Sequence, residues 1–109
     1  MTRIVITGAC GKMGRVINDI VNTRDDCEIT AGIDIAGEQY AGFPVYKKLF
    51  DLPEKPDVII DFSHPSLLDE LLDYCKINNV PVVIATTGYT DEQIKQIKTA
   101  AGQIPVFFT

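Results

Sequence analysis

Gly8, Gly11 and Gly14 recur at a three-residue spacing between a β-branched run and an apolar helical pattern, and no other feature constrains the fold as much. Residues 3–7 (Arg-Ile-Val-Ile-Thr) alternate too little for a half-exposed strand and suit one covered on both faces, as in a parallel sheet. After the glycines, Met13, Val16, Ile17, Ile20 and Val21 recur at helical spacing, which predicts a helix over 12–22 that stops before the polar Arg24-Asp25-Asp26 turn. A glycine turn between a buried strand and a helix suits a pyrophosphate. Gly8 permits a sharp exit from the strand, Gly11 a close backbone approach to the phosphates, and Gly14 close packing of the helix on the sheet. The N–H groups free at the helix start then point at the anion. Cys10 stands where the common G-x-G-x-x-G pattern has its middle glycine, so the glycines alone are weak evidence and their context carries the reading.

The remaining punctuation repeats the alternation of strand and helix. Strands are predicted over 28–34, 57–62, 81–85 and 104–109, with a short one near 44–46 and a helical turn at 47–52. Ser63-His64-Pro65 opens a helix, with Ser63 or His64 as its cap, Pro65 in its first turn, and Leu67, Leu68, Leu71, Leu72 and Cys75 facing inward. Thr90 and Gln93 form a capping box for a helix reaching Ala101, with Gly102 as its C′ residue. This is the pattern of a Rossmann-type, doubly wound α/β fold with a mostly parallel sheet and flanking helices. A chain of 109 residues, 46% apolar and 23% charged, fits one such domain spanning 1–109. It ends on an apolar strand without a polar tail, which reads as a domain cut from a longer protein.

Charge and cysteine usage narrow the class. Ten basic residues are scattered among fifteen acidic ones for a net charge of −5, whereas a nucleic-acid partner would select clustered Lys and Arg. Lys12 and Arg15 form a local basic spot after the glycine turn. Uncharged apolar stretches are far shorter than the roughly 20 residues that cross a bilayer, and the N-terminus runs straight into a strand without a signal-peptide core. The three cysteines lack a C-x-x-C pair, so no metal is expected and free thiols in a reducing cytoplasm are the default.

Asp34 closes the second predicted strand about 20 residues beyond Gly14, where a carboxylate binds the ribose hydroxyls of NAD. Such a group repels a 2′-phosphate, and its neighbour Ile35 supplies no cation. NADH is therefore expected over NADPH, with Lys12 near enough to blunt the preference. Two further strand ends, Asp61-Phe62-Ser63-His64-Pro65 and Ala85-Thr86-Thr87-Gly88-Tyr89, converge on the same sheet edge, although a Thr-Thr-Gly run is also ordinary capping-loop composition. His64, beside a proline at a helix start, reads as a cap or surface residue rather than a catalytic acid. Cys10, at a helix N-terminus but without a partner base nearby, reads as a spacer. The leucine stripe at 67–72 reads as core.

In this order and at these separations, Gly-x-x-Gly-x-Met-Gly, Asp61-Phe62-Ser63-x-Pro65 and Thr86-Thr87-Gly88-Tyr89 resemble dihydrodipicolinate reductases over essentially the whole chain. The most specific parts are Lys12-Met13-Gly14, Asp61-Phe62-Ser63, Pro65 and Thr86-Thr87-Gly88. The resemblance implies a reductase passing hydride from NAD(P)H to 4-hydroxy-tetrahydrodipicolinate, giving tetrahydrodipicolinate on the way to diaminopimelate and lysine. It implies that Gly8, Ala9, Cys10, Gly11, Lys12 and Met13 hold the pyrophosphate and Asp34 the adenosine ribose. Phe62 and Ser63 would line the cofactor cleft, and Ala85, Thr86 and Thr87 would hold the nicotinamide half, with Thr87 also touching substrate.

Ala85 departs from the family's usual glycine. More importantly, the family's second domain, which supplies the grip on the substrate carboxylates, the histidine and lysine of proton transfer and the tetramer interface, has no counterpart in these 109 residues. No catalytic residue is assigned here, and the chain alone is expected to bind NADH without turnover. The rival readings are the N-terminal domain of an aspartate or homoserine dehydrogenase, against which the Asp-Phe-Ser and Thr-Thr-Gly loops argue, and a stand-alone nucleotide- or CoA-binding regulatory module.

Overall fold

The computed structural model describes residues 1–36 and 38–108. Six strands form one parallel sheet: β1 (Thr2–Thr7), β2 (Cys27–Ile33), β3 (Val45–Tyr46), β4 (Val58–Asp61), β5 (Val82–Ile84) and β6 (Val106–Phe108). Their order across the sheet is β3-β2-β1-β4-β5-β6. Thr109, expected in the last strand, lies outside the described residues. Three helices, α1 (Lys12–Val21), α2 (Leu68–Asn78) and α3 (Asp91–Ala100), lie between the strands, with single 3-10 turns at Leu49–Asp51 and Pro65–Leu67. Among the described residues no helix is long and apolar enough to cross a membrane.

The alternation along β1 shows why the sequence makes a two-faced sheet. Ile4 and Ile6 enter a cluster with Val21 of α1, Ala9 and Phe43, while Val5 points into the larger core formed with Leu68, Leu71, Leu72 and Cys75 of α2 and Ile97 and Ala100 of α3. Both faces of β1 are apolar because both are covered, as the unbroken β-branched run required.

Three expectations are corrected, and the structure also shows which face of α1 is buried. The helix after Pro65 begins as a 3-10 turn and becomes α-helical at Leu68, so Leu67 is only half-buried while Leu68, Leu71, Leu72 and Cys75 form the core. On α1, Gly14 and Val21 are buried and Ile17 partly so, but Met13, Val16 and Ile20 are exposed. The helix rests on a narrow face led by a glycine, so its wider apolar stripe points outward. Gly14 itself relieves a contact within the turn rather than with the sheet, because a Cβ there would lie 2.8 Å from the Ala9 Cα. Finally, Gly102 follows α3 without a left-handed φ: Ala101 remains helical, and the end is closed by Gln103 and Ile104 N–H groups donating to the Ala100 carbonyl at 2.9 and 3.0 Å. The capping box of Thr90 and Gln93 is present as expected.

Candidate functional site

Registers bring the last residues of five strands level at one edge: Thr7 pairs with Ile33 and Asp61, Ile33 with Tyr46, and Asp61 with Ile84. The chain order reverses between β1 and β4, which places a crevice at this carboxyl edge, where open α/β sheets bind ligands. Gly8 sits at the reversal with φ +69, a conformation that a side chain would strain. A Cβ on Gly8 would also collide with the Phe62 carbonyl group, 2.8 Å from its carbon. The glycine thus lets the β1 turn pass against the loop leaving β4.

The turn then forms a tight bend, with Gly11 N–H donating to the Gly8 carbonyl at 3.0 Å, and Gly11 becomes the N-cap of α1. No side chain caps this end and the first turn carries no acidic residue, so the start of α1 keeps its N–H groups for an outside acceptor. Lys12 and Met13, the first two residues of the helix, are exposed. Ala9 is fully buried, filling the space beneath the turn: a Cβ on Gly32 of β2 would lie 2.5 Å from its Cβ.

Across from the helix start, the Asp34 carboxylate is anchored by the backbone. Its Oδ2 accepts from Cys10 N–H at 2.9 Å and its Oδ1 from Ala36 N–H at 3.0 Å. Two of its roughly four lone-pair positions remain for ribose hydroxyls. The Cys10 thiol donates to the Glu38 carbonyl, and burial, then the nearby Asp34 charge, push it up from its ordinary value. That is the reverse of an activated nucleophile, and it fits the spacer reading. Arg15 donates to the Cys10 carbonyl at 3.2 Å and lies over the Tyr40 ring at 4.1 Å, so this cation braces the outside of the turn.

A cleft of about 240 Å³ opens between the two halves of the sheet, lined by Gly8, Ile33, Asp34, Ile35 and Lys47 on one side and Ser63, His64, Ser66 and Leu67 on the other. It brings Gly8, Asp34 and Ser63 together. It adds Lys47 and Leu67, which the sequence reading did not place here. Lys47 reaches the cleft because β3 pairs beside β2, and a two-residue strand after a glycine- and proline-rich segment gives almost no periodic signal. His64 acts as the cap it resembled, its ring Nδ1 accepting from Ser66 N–H at 3.1 Å.

The two remaining loops lie beyond Gly8. Phe62 and Ser63 are half-buried, and Ala85, also half-buried, donates its N–H to the Asp61 carbonyl at 2.9 Å. Thr86 and Thr87 diverge. Thr86 is buried with its hydroxyl donated inward to Asp61 Oδ2 at 2.8 Å, leaving its backbone as its means of reaching a ligand, while Thr87 is exposed. Gly88, at φ +88, turns the chain back into α3.

These features fit a dinucleotide: an uncapped helix start beside a turn that leaves no room for a side chain at Gly8 or Gly14, faced by a carboxylate with free acceptor positions. Fold and site together define a Rossmann-type NAD(P)-binding domain. The chain belongs to the family described as dihydrodipicolinate reductase, N-terminus, which it matches over residues 2–109. It is 40% identical over 107 residues to the 4-hydroxy-tetrahydrodipicolinate reductase of Clostridium novyi and 38% identical to that of Clostridium tetani, in each case over 98% of this chain. It spans about 42% of the length of these relatives. Among solved structures it resembles a dipicolinate-bound dihydrodipicolinate reductase from Paenisporosarcina sp. TG-14, with a TM-score of 0.77 and 34% identity over 93% of this chain and 43% of the other.

Proposed function

We propose that this chain is the cofactor-binding domain of a reductase that transfers hydride from NAD(P)H to 4-hydroxy-tetrahydrodipicolinate, giving tetrahydrodipicolinate for diaminopimelate and lysine synthesis in the cytoplasm. Membership in the reductase family supports the reaction. The observation that carries the binding role is the uncapped start of α1 facing the anchored Asp34 carboxylate.

When bound, the dinucleotide supplies the hydride. The chain's own residues hold and orient it. Backbone from Gly8 to Met13 receives the pyrophosphate, with Lys12 adding positive charge at an end of the helix that already favours anions. Asp34 accepts from the adenosine ribose hydroxyls. Phe62 and Ser63 wall the cleft, and Ala85, Thr86 and Thr87 present the loop beside the nicotinamide half. Thr87, exposed at the rim, also meets substrate. The dicarboxylate substrate is gripped by the part of the enzyme outside these 109 residues, within a homotetramer, so the chain alone binds cofactor without turning over.

The Asp34 carboxylate favours NADH, and Lys47 in the same cleft supplies the cation that Ile35 does not, which supports use of NADPH as well. Calorimetric titration with NADH and NADPH, alongside Asp34→Ala, tests the assignment. Saturable binding that favours NADH and weakens at least about tenfold in the variant supports it. Absence of binding for both nucleotides at millimolar concentration refutes the site, and reductase turnover by the isolated chain refutes its role as a cofactor domain alone.

A further inference from the structure

Asp61 ends β4 as a fully buried carboxylate, and its described partners are hydroxyls rather than a cation. Its Oδ1 accepts from the Thr7 hydroxyl and from Ser63 Oγ at 2.5 Å. Its Oδ2 accepts from Thr86 Oγ1 at 2.8 Å and from the Tyr89 hydroxyl at 3.3 Å. Taking a carboxylate out of water is costly, and the cost is offset only when its lone pairs are fully engaged. Sheet formation needs no such group, because the strand positions that pair with Asp61, Thr7 and Ile84, would accept an apolar neighbour. What the carboxylate joins is informative: the end of β1, the loop leaving β4 and the loop between β5 and α3.

We propose that Asp61 is a positioning residue for the nicotinamide side of the site. The proposal rests on the dinucleotide reading above and adds an element that reading does not contain. All four hydroxyls donate to the Asp61 oxygens, so each directs its proton inward. Ser63, half-buried and lining the cleft, is left with acceptor lone pairs toward the ligand and matches a ribose hydroxyl or a carboxamide N–H. The Thr86 hydroxyl, drawn to Asp61 and to the Ser63 carbonyl at 3.3 Å, ties the two loops to each other and leaves Thr87 on the outer side. Gly88 then allows the return that brings Tyr89 back to the same carboxylate. One buried group thereby fixes both loops and the donor or acceptor sense of the hydroxyl that faces the cofactor.

The adenosine half provides an internal control, since ADP would use the glycine turn, Asp34 and the Ser63 side of the same cleft but not the loop from Ala85 to Tyr89. Binding of NADH and of ADP to the protein and to Asp61→Asn is compared by calorimetry, with Thr86→Val and Tyr89→Phe alongside as variants that each remove one arm from the loop between β5 and α3 and keep Asp61. The expected result is a loss of about tenfold or more in NADH affinity for Asp61→Asn, with ADP affinity held within about twofold. The same split, smaller in size, is expected in the two single-arm variants, which carry the test should Asp61→Asn fail to fold. Unchanged NADH binding in the variants, or parallel loss of NADH and ADP, overturns the positioning role while leaving the dinucleotide site standing. Wild-type protein that binds neither ligand overturns the dinucleotide reading and this inference with it.

Discussion

The Asp34 carboxylate and the Cys10 backbone N–H are joined at 2.9 Å, so the residue expected to bind the ribose also holds the glycine turn in place. The second anchor, Ala36 N–H at 3.0 Å, fixes the carboxylate against rotation. Much of the ordering that a ligand would otherwise have to impose is therefore built in, which lowers the conformational cost of binding.

Asp34→Ala should consequently do more than remove a ligand contact. The Cys10 and Ala36 amides lose their acceptor, and the protein should lose about 1–2 kcal/mol of stability even without nucleotide. Amide hydrogen exchange is the direct measurement: Cys10 and Ala36 should exchange faster in the variant while the strand amides of β1 keep their protection. Unchanged exchange at Cys10 would show that the turn holds itself without Asp34.

Gly8 and Gly14 are required for different reasons, and alanine at each should be harmful. At Gly8 the φ of +69 and the collision with the Phe62 carbonyl act together, and Gly8→Ala should cost about 2 kcal/mol or more. At Gly14 the backbone is helical, so alanine should gain about 1 kcal/mol from helix propensity, but its Cβ would press on Ala9 at the floor of the turn. Urea denaturation should show Gly14→Ala destabilised despite the propensity gain. A stabilised variant would mean that α1 can shift outward, and NADH affinity should then fall as its N-terminus leaves the phosphate position.

The strands and helices were readable because their patterns are local. The β-branched runs of β1, β4 and β5 and the capping box at Thr90 required no tertiary knowledge, and Gly8 and Asp34 were identifiable from spacing. Tertiary placement decided the rest. The helical spacing of Met13, Val16 and Ile20 located α1 but not its buried face, because the helix touches the sheet through Gly14 and Val21. Lys47 entered the cleft through the pairing of β3 with β2, which two residues cannot announce. Asp61 had a signal that can be read in retrospect: a carboxylate closing an apolar strand, with a serine two residues on. Only the fold shows that Thr7, Thr86 and Tyr89 converge on it as well.

Lys47 offers a test of cofactor choice separate from Asp34. It lines the same cleft, so Lys47→Ala should weaken NADPH about fivefold more than NADH, consistent with one exposed charge interacting with a phosphate in water. Raising the salt concentration should shrink the difference. An equal effect on both cofactors would place Lys47 away from the 2′-position.

Alkaline pH should weaken the fold through two acids, the buried Cys75 thiol and the half-buried Tyr89 hydroxyl. Burial, then the Asp61 charge, pushes the Cys75 thiol from an ordinary 9.0 up to about 12. The Tyr89 hydroxyl is likewise pushed from 10.0 up to about 12, by burial first and then by Asp61. Between the ordinary and the raised values the native state keeps protons that the unfolded chain has released, so stability falls as pH rises. The protection these groups give is complete below about pH 9, declines from there as unfolded Cys75 ionises and from about pH 10 as unfolded Tyr89 does, and is gone by about pH 12. Urea midpoints measured from pH 8 to 11 should trace this decline. Cys75→Ala should flatten the portion that begins near pH 9, and Tyr89→Phe the portion that begins near pH 10. The slope is the informative quantity, because Cys75→Ala also removes core volume and lowers stability at every pH. A pH-independent midpoint in the wild type would show that neither proton is held more tightly by the fold.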